Sequence, residues 1–384
     1  MPKKVLLCAT VDYHFKAFHV PYMKWFKEQG WEVHIAANGN MELPYVDKKM
    51  NIPIQRSPLQ QANLKAYAQL KSIINENHYD IIHCHTPMGG VLARLAARQA
   101  RKKGTKVIYT AHGFHFCKGA PYLHWLVYYP LEKMLSYLTD CLITINEEDY
   151  RLAVKHRFRA SRVEHVHGVG VNTERFKPVE DSYKRELKMA NGYQPDDILL
   201  FYAAEFNANK NQQMLIHALA SAKEDAPKVK LLLAGEGALK EQCRDLAEQL
   251  QVADRVEFLG YRSDIDQLLQ MCDVAVASSL REGLPVNLME AMASGLPIIA
   301  SENRGHNELV RNGQNGWLIV PNDQAAMAER IKQVAHSQAL RMKLGKSGRE
   351  WVESRYAIHQ VLEEKSRIYS LFMDEKVEVM WAIQ

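Results

Sequence analysis

The sequence predicts two doubly wound α/β domains, and three observations carry that expectation. The chain has 384 residues, more than one ordinary core accommodates. Short apolar runs alternate with segments of helical period, the pattern of parallel strands joined by crossover helices. The alternation pauses once, over residues 172–195, a polar stretch with Pro178 and Pro195, and then restarts.

Before the pause, strands are expected at residues 5–9, 31–37, 81–84, 106–110 and 141–145. Helices are expected at 16–29, with Phe18, Tyr22, Trp25 and Phe26 on one face and Gly30 at the end, and at 64–75 and 89–101. After it, strands are expected at 198–204, 229–234, 256–259, 274–277, 297–300 and 317–320, with helices at 211–223, 238–251, 286–293 and 325–336. In doubly wound folds ligands bind at the carboxyl ends of the strands, so a cleft between two such domains is the expected site.

Composition narrows the class. Hydrophobic residues at 47% and charged residues at 24% are those of a globular protein without disordered tracts. The net charge of +5 is unevenly spread: residues 1–180 hold 25 Lys/Arg against 15 Asp/Glu, and 12 of the 16 histidines. A basic first half would attract phosphate, an anionic membrane surface or nucleic acid, or be no more than a solvated basic surface. Six cysteines without a C-x-x-C pair read as small buried hydrophobes in a reducing compartment. The first apolar run is too short for a signal peptide, and no run reaches the ~20 residues of a spanning helix.

One segment carries the chemistry. Residues 278–285 read Ser-Ser-Leu-Arg-Glu-Gly-Leu-Pro, and residues 290–297 read Glu-Ala-Met-Ala-Ser-Gly-Leu-Pro. A strand ends in a Ser/Gly/Pro loop that opens a helix near Val286. The free N–H groups and positive dipole end of such a helix suit a diphosphate. Glu290 on its first turns and Glu282 in the loop are acceptor-only groups that suit the vicinal hydroxyls of a ribose and a sugar. The plainer alternative makes Glu282 a surface residue and Glu290 a dipole-compensating one.

This Glu-x7-Glu loop and helix resembles glycosyltransferase family 4, the retaining nucleotide-sugar transferases of the GT-B fold, whose two Rossmann-like domains face a central cleft. The resemblance extends over nearly the whole chain. Residues 168–178, Gly-Val-Gly-Val-Asn-Thr-Glu-Arg-Phe-Lys-Pro, resemble the family's interdomain segment, and Leu233-Ala234-Gly235-Glu236-Gly237 and Val256-Glu257-Phe258-Leu259-Gly260 its later strand ends. It implies an acceptor-binding domain over 1–180 and a nucleotide-sugar domain over 181–355. A C-terminal helix within 356–384, spaced by Val361, Ile368, Leu371 and Phe372, is expected to cross back onto the first domain.

The resemblance also implies roles. Glu282 would contact the transferred sugar, with Gly283 beside it, and Glu290 the ribose. Amides near Val286, Asn287 and Leu288 would hold the diphosphate, and the Gly260-Tyr261-Arg262 turn would border the base. Lys210 would neutralise the diphosphate, and His112 would border the sugar. The family's arginine position holds Glu205, so that carboxylate must point elsewhere or pair with a cation. Leaving-group stabilisation would then rest on Lys210, the helix N-terminus, and Arg281 or Arg304.

The first loop, residues 10–15, lacks the family's Gly-Gly, leaving His14 or His19 to line the acceptor pocket. His83 and His85 alternate onto one strand face; with no third ligand nearby they make a poor zinc site, and His85 reads as cleft-lining. Aromatics over 114–138 and the cations Arg94, Arg98, Arg101, Lys102 and Lys103 suggest either a membrane-facing patch or core packing.

G-x-G-x-x-G, P-loop, G-x-S-x-G and H-E-x-x-H motifs do not occur, so no metal and no cofactor is expected. The implied activity is retaining transfer of a hexose or N-acetylhexosamine from a nucleotide sugar, UDP by family preference, to a lipid-linked saccharide in exopolysaccharide or capsule (biofilm) assembly. The implied location is the cytoplasm, peripheral on the inner membrane face, with no nucleic-acid partner. Two alternatives stand beside it: a sugar-nucleotide 2-epimerase of the same fold and a non-enzymatic sugar-nucleotide-binding protein.

Overall fold

A computed structural model describes residues 2–373. The chain forms two compact units: residues up to Gly170 together with the described residues from His359 on, and Val171–Ile358. In the first unit seven parallel strands form one sheet: β1 (Lys4–Val11), β2 (Glu32–Asn38), β3 (Lys48–Asn51), β4 (Ile81–His85), β5 (Lys106–Ala111), β6 (Cys141–Thr144) and β7 (Arg162–His165), in the order β3-β2-β1-β4-β5-β6-β7. In the second, β8 (Ile198–Ala203), β9 (Val229–Ala234), β10 (Val256–Gly260), β11 (Val274–Ala277), β12 (Ile298–Ser301) and β13 (Gly316–Ile319) form a parallel sheet ordered β10-β9-β8-β11-β12-β13. Both sheets are flanked by helices, the doubly wound architecture that the alternation predicts.

Strand order reverses between β1 and β4 in the first sheet and between β8 and β11 in the second. At each reversal, consecutive crossovers leave in opposite directions and the loops at the carboxyl ends splay apart, making room for a ligand. The segment after β1 carries His14 and His19, and β4 itself ends on His85; the loops after β8 and β11 carry Lys210 and Glu282.

The central strands are buried along their length, as in β4 and β11, because helices cover both faces. That is why they read as largely apolar runs, broken in β4 by His83 and His85. The strands β3 (KKMN) and β7 (RVEH), which the apolar-run pattern passes over, lie at the sheet edges and keep solvent-facing polar side chains. The polar pause also hides a helix, Asp181–Ala190. The expected helix at 16–29 is two, Tyr13–Phe18 and Val20–Glu28, because Pro21 starts a new helix and has no N–H with which to continue the old one. All six cysteines are buried and unpaired.

The expected basic patch is partly a misreading. Arg94 is buried, pairs with Glu132 at 2.9 Å, donates to Gly90 O and lies 3.9 Å over the Tyr109 ring. Arg101 forks onto Asp140. Phe114 and Phe116 are core residues, whereas Tyr122, Leu123, Leu126 and Val127 are exposed on the helix Tyr122–Ser136. The core-packing alternative therefore holds for Phe114 and Phe116, while the helix that follows them exposes apolar side chains.

Within the first unit the helix Ile358–Ser370 packs on the early elements. The Tyr369 hydroxyl meets His83 Nδ1 at 2.8 Å, its ring stacks on Trp25, and Glu364 pairs with His167. The remainder of the expected crossing segment, 374–384, lies outside the described residues.

The buried Arg94 pair yields a stability prediction. Removing one partner leaves a charge in the core, at a cost of about 3–5 kcal/mol. Denaturant unfolding of Arg94→Ala should show a loss of that order, and the double change Arg94→Met with Glu132→Gln a smaller one.

Candidate active site

In the second unit the loops at the strand reversal are tied to each other. Asn207 Oδ1 accepts the amides of Asn209 and Lys210, turning the chain sharply after β8. Asn209 Nδ2 then donates to Arg281 O, the Leu280 amide to Asn209 O, and the Ser278 hydroxyl to Lys210 O. These bonds aim two side chains at each other: Lys210 Nζ lies 2.5 Å from Glu282 Oε1, both largely buried. On the other side of Glu282, Arg304 Nε donates to its carbonyl at 3.0 Å. Gly305 packs so closely that a Cβ there would come within 2.8 Å of Glu282 Cβ.

The helix Val286–Ala293 starts at Pro285 with no side-chain cap. Among the described residues the Val286 and Asn287 amides have no acceptor, as the first amides of a helix require an outside partner. The Leu288 amide differs from the expectation. It is already bound by Asn287 Oδ1 at 2.9 Å, while Asn287 Nδ2 anchors to Ala203 O at the end of β8.

Glu290, one turn further, is partly buried, and its carboxylate makes no hydrogen bond or ion pair among the described residues. Burial pushes its carboxyl up to about 7; Arg175 opposes this and Asp266 adds to it. Arg175 is itself held on Asp266 at 2.7 Å. Neither Arg175 nor Asp266 is singled out by sequence motifs, although Arg175 lies inside the quoted 168–178 segment. His306 was also missed. It is fully buried, bound at Nδ1 by Ser301 O, and burial lowers it to about 4 with Glu282 opposing.

Glu205 is exposed and forms no ion pair among the described residues; only its carbonyl is used, by Gln212 Nε2. Of the two outcomes expected for it, a partner cation is not found. Gly235 follows β9 at φ +143°, where a Cβ would sit 2.1 Å from Ala204 O, so the ends of β8 and β9 close up only with glycine there. Its amide donates to Gly260 O at 2.7 Å. Beside Gly260, Tyr261 is exposed and Arg262 forks onto Asp264.

In the first unit, the expectation that His85 has no third ligand nearby is overturned. The glycine-free loop after β1 folds into short helices that bring His14 and His19 to the ends of β4 and β5, where His85 and His112 lie. One ring nitrogen from each of the four lies within 4.8 Å of the other three. The pair His14 Nε2–His19 Nε2 is 3.0 Å apart and His85 Nδ1–His112 Nε2 is 3.4 Å apart. Burial holds all four below the usual imidazole range, so they are neutral at pH 7. His83 is separate in chemistry, with both nitrogens engaged by Tyr369 and Thr110. His19 and His85 are buried, and His112 keeps partial exposure.

Comparison with known proteins bears on this geometry. The family model for glycosyl transferases group 1 matches residues 184–351, and that for glycosyl transferase 4-like proteins matches residues 4–146. A Bacillus subtilis (strain 168) protein named "Putative glycosyltransferase EpsD" is 56% identical over 97% of this chain and 98% of its own length. The Escherichia coli UDP-Gal:alpha-D-GlcNAc-diphosphoundecaprenol alpha-1,3-galactosyltransferase is 27% identical over 81% of this chain and 80% of its own. Among solved structures, Anabaena Alr3699/HepE in complex with UDP and glucose superposes with a TM-score of 0.79 at 19% identity, covering 96% of this chain and 100% of that one. Sucrose-phosphate synthase from Thermosynechococcus elongatus also reaches a TM-score of 0.79, at 21% identity, covering 97% and 100%. Matched by two family models over most of its length and more than half identical to a relative nearly throughout, the chain is an enzyme of the glycosyltransferase family, with the GT-B fold that its motifs resemble.

Proposed function

We propose that this glycosyltransferase moves a hexose or N-acetylhexosamine from a UDP-sugar to a lipid-linked saccharide, with retention, in exopolysaccharide or capsule assembly. The observation that carries the donor half is Glu290. Among the described residues its carboxylate has no hydrogen-bond donor, and the first two amides of its helix are also free. A nucleoside diphosphate supplies what each lacks: vicinal ribose hydroxyls for the carboxylate and phosphate oxygens for the amides.

The Lys210–Glu282 pair would exchange partners on donor binding. The ammonium moves to the diphosphate, and the freed Glu282 carboxylate accepts hydroxyls of the transferred sugar. As the glycosidic bond to the diphosphate breaks, Lys210 and the Val286 and Asn287 amides stabilise the growing negative charge. The acceptor hydroxyl attacks from the same side and passes its proton to a phosphate oxygen of the leaving nucleotide. His112 borders the transferred sugar. The Gly260-Tyr261-Arg262 turn borders the base, and Gly283 leaves the loop open beside the sugar. No metal is required at the diphosphate, because cationic and amide donors are already there.

The acceptor half draws support from the exposed apolar face of the helix Tyr122–Ser136, suited to a lipid surface, and from the E. coli relative, whose name specifies a diphosphoundecaprenol-linked substrate. Among the described residues no helix is long and apolar enough to cross a membrane, so such contact would be peripheral.

The reading is tested by incubating UDP-glucose, UDP-galactose and their N-acetyl counterparts with and without bacterial lipid extract. UDP release that needs the extract, unchanged by added Mg2+ or Mn2+, and an α-linked product by NMR are expected. Conversion of the donor sugar without acceptor would point instead to an epimerase. Lys210→Ala should lower kcat about 100- to 1,000-fold, the usual loss for a group that stabilises transition-state charge.

Glu290 gives two pH-dependent outcomes of opposite use. Its folded-state carboxyl, at about 7, lies above the ordinary unfolded value near 4.3. The folded chain therefore holds more protons, and stability is lost as pH rises from about 4.5 to 7. Glu290→Gln removes that cost, so its stability advantage over the parent should grow from near zero at pH 4.5 to about 2–3 kcal/mol at pH 8. Ribose hydroxyls need the carboxylate, so UDP affinity, measured by calorimetry, should weaken as pH falls below 7. Glu290→Gln should bind about 10- to 100-fold more weakly at pH 8 and lose the pH dependence. A variant that is more stable yet binds UDP normally would remove Glu290 from the donor site.

A further inference from the structure

We propose that His14, His19, His85 and His112 form a binding site for one divalent transition-metal ion of the zinc class, at the strand reversal of the first unit. The inference does not depend on the donor-site reading.

The geometry is close to that of a ligand set. Zinc–imidazole bonds of about 2.0–2.1 Å in a tetrahedron put the nitrogens about 3.3 Å apart. Two of the separations here are 3.0 and 3.4 Å, and the four donor atoms all lie within 4.8 Å of one another. Turning the rings inward by about 1.5 Å or less closes the set to a zinc–imidazole tetrahedron. The rings already crowd one another, with centroids of His19 and His85 4.1 Å apart and those of His14 and His112 4.9 Å apart.

His85 is fully buried and can offer either ring nitrogen: Nδ1, which faces His112, or Nε2, which has no hydrogen-bond partner among the described residues. In each of the two close contacts one nitrogen is bare so that the other can donate, which leaves a lone pair in the cluster. A cation at the centre accepts a lone pair from each ring and turns the remaining N–H groups outward. Four nitrogen donors without a carboxylate select Zn2+, Co2+, Ni2+ or Cu2+ over the oxygen-seeking Mg2+ and Mn2+.

Lys365 opposes a cation here. It is buried over the Tyr22 ring, its Nζ has no hydrogen-bond partner among the described residues, and burial lowers it to about 7. A bound dication would favour its neutral form. The ion would tie the glycine-free first loop to the ends of β4 and β5.

The full-length protein, stripped with a chelator and dialysed, is titrated with Co2+ and followed by visible absorption. One equivalent bound, with the intense d–d bands of a tetrahedral site and displacement by Zn2+ but not Mg2+, is expected. His19→Gln and His85→Gln should each weaken Co2+ binding by at least tenfold, while His217→Gln in the other unit leaves it unchanged. Zn2+ should raise Tm of the parent and not that of His85→Gln. Should the buried variants fail to fold, His14→Gln replaces them, because that ring keeps some exposure. Absence of stoichiometric uptake by the parent, or uptake unaffected in every cluster variant, would overturn the site.

Discussion

A sheet whose strands all run parallel must carry the chain back across a face after every strand. Every strand therefore ends at the same rim, and reversal of strand order opens that rim at one place. Both units obey this constraint, with reversals at β1/β4 and β8/β11. Each functional feature follows from it. Lys210 and Glu282 meet because the loops after β8 and β11 splay from adjacent strands and are then laced through Asn209. The four histidines meet for the same reason, after β1, β4 and β5.

Charge is handled differently at the rim and in the body of each sheet. Away from the rim, several buried charges are paired and hydrogen-bonded: Arg94 with Glu132, and Lys188 with Asp273 and Asp197 O. Asp12 at the start of the first loop shows the same economy, bound by Lys49 Nζ and the Met41 amide. At the reversals, the Glu290 carboxylate, the first amides of its helix and His85 Nε2 lack partners among the described residues. They lie at the rims where doubly wound folds bind their ligands.

Legibility in the sequence tracked burial. Central strands could be read because helices on both faces make most of their positions apolar. The edge strands β3 and β7 could not, because one row of their side chains meets water. Glu282 and Glu290 were legible because they sit eight residues apart in one loop and helix, so local structure alone relates them. Arg175, Asp266 and His306 were not, because their relation to those glutamates runs through separate elements. Arg94 was misread as surface charge, since a residue's sequence neighbours do not reveal that Glu132 and Tyr109 enclose it.

By itself, the sequence determined the doubly wound class, the break between two α/β halves, and the loop and helix carrying Glu282 and Glu290. Periodicity and short-range motifs encode all of these. Only the tertiary structure decided which distant side chains meet. It joined Lys210 to Glu282 across 72 residues and gathered His14, His19, His85 and His112 from three strand ends. It also left Glu205 exposed and without an ion pair among the described residues. Crossover connections make these neighbours, and the order in which strands are laid into a sheet has no signature in local composition.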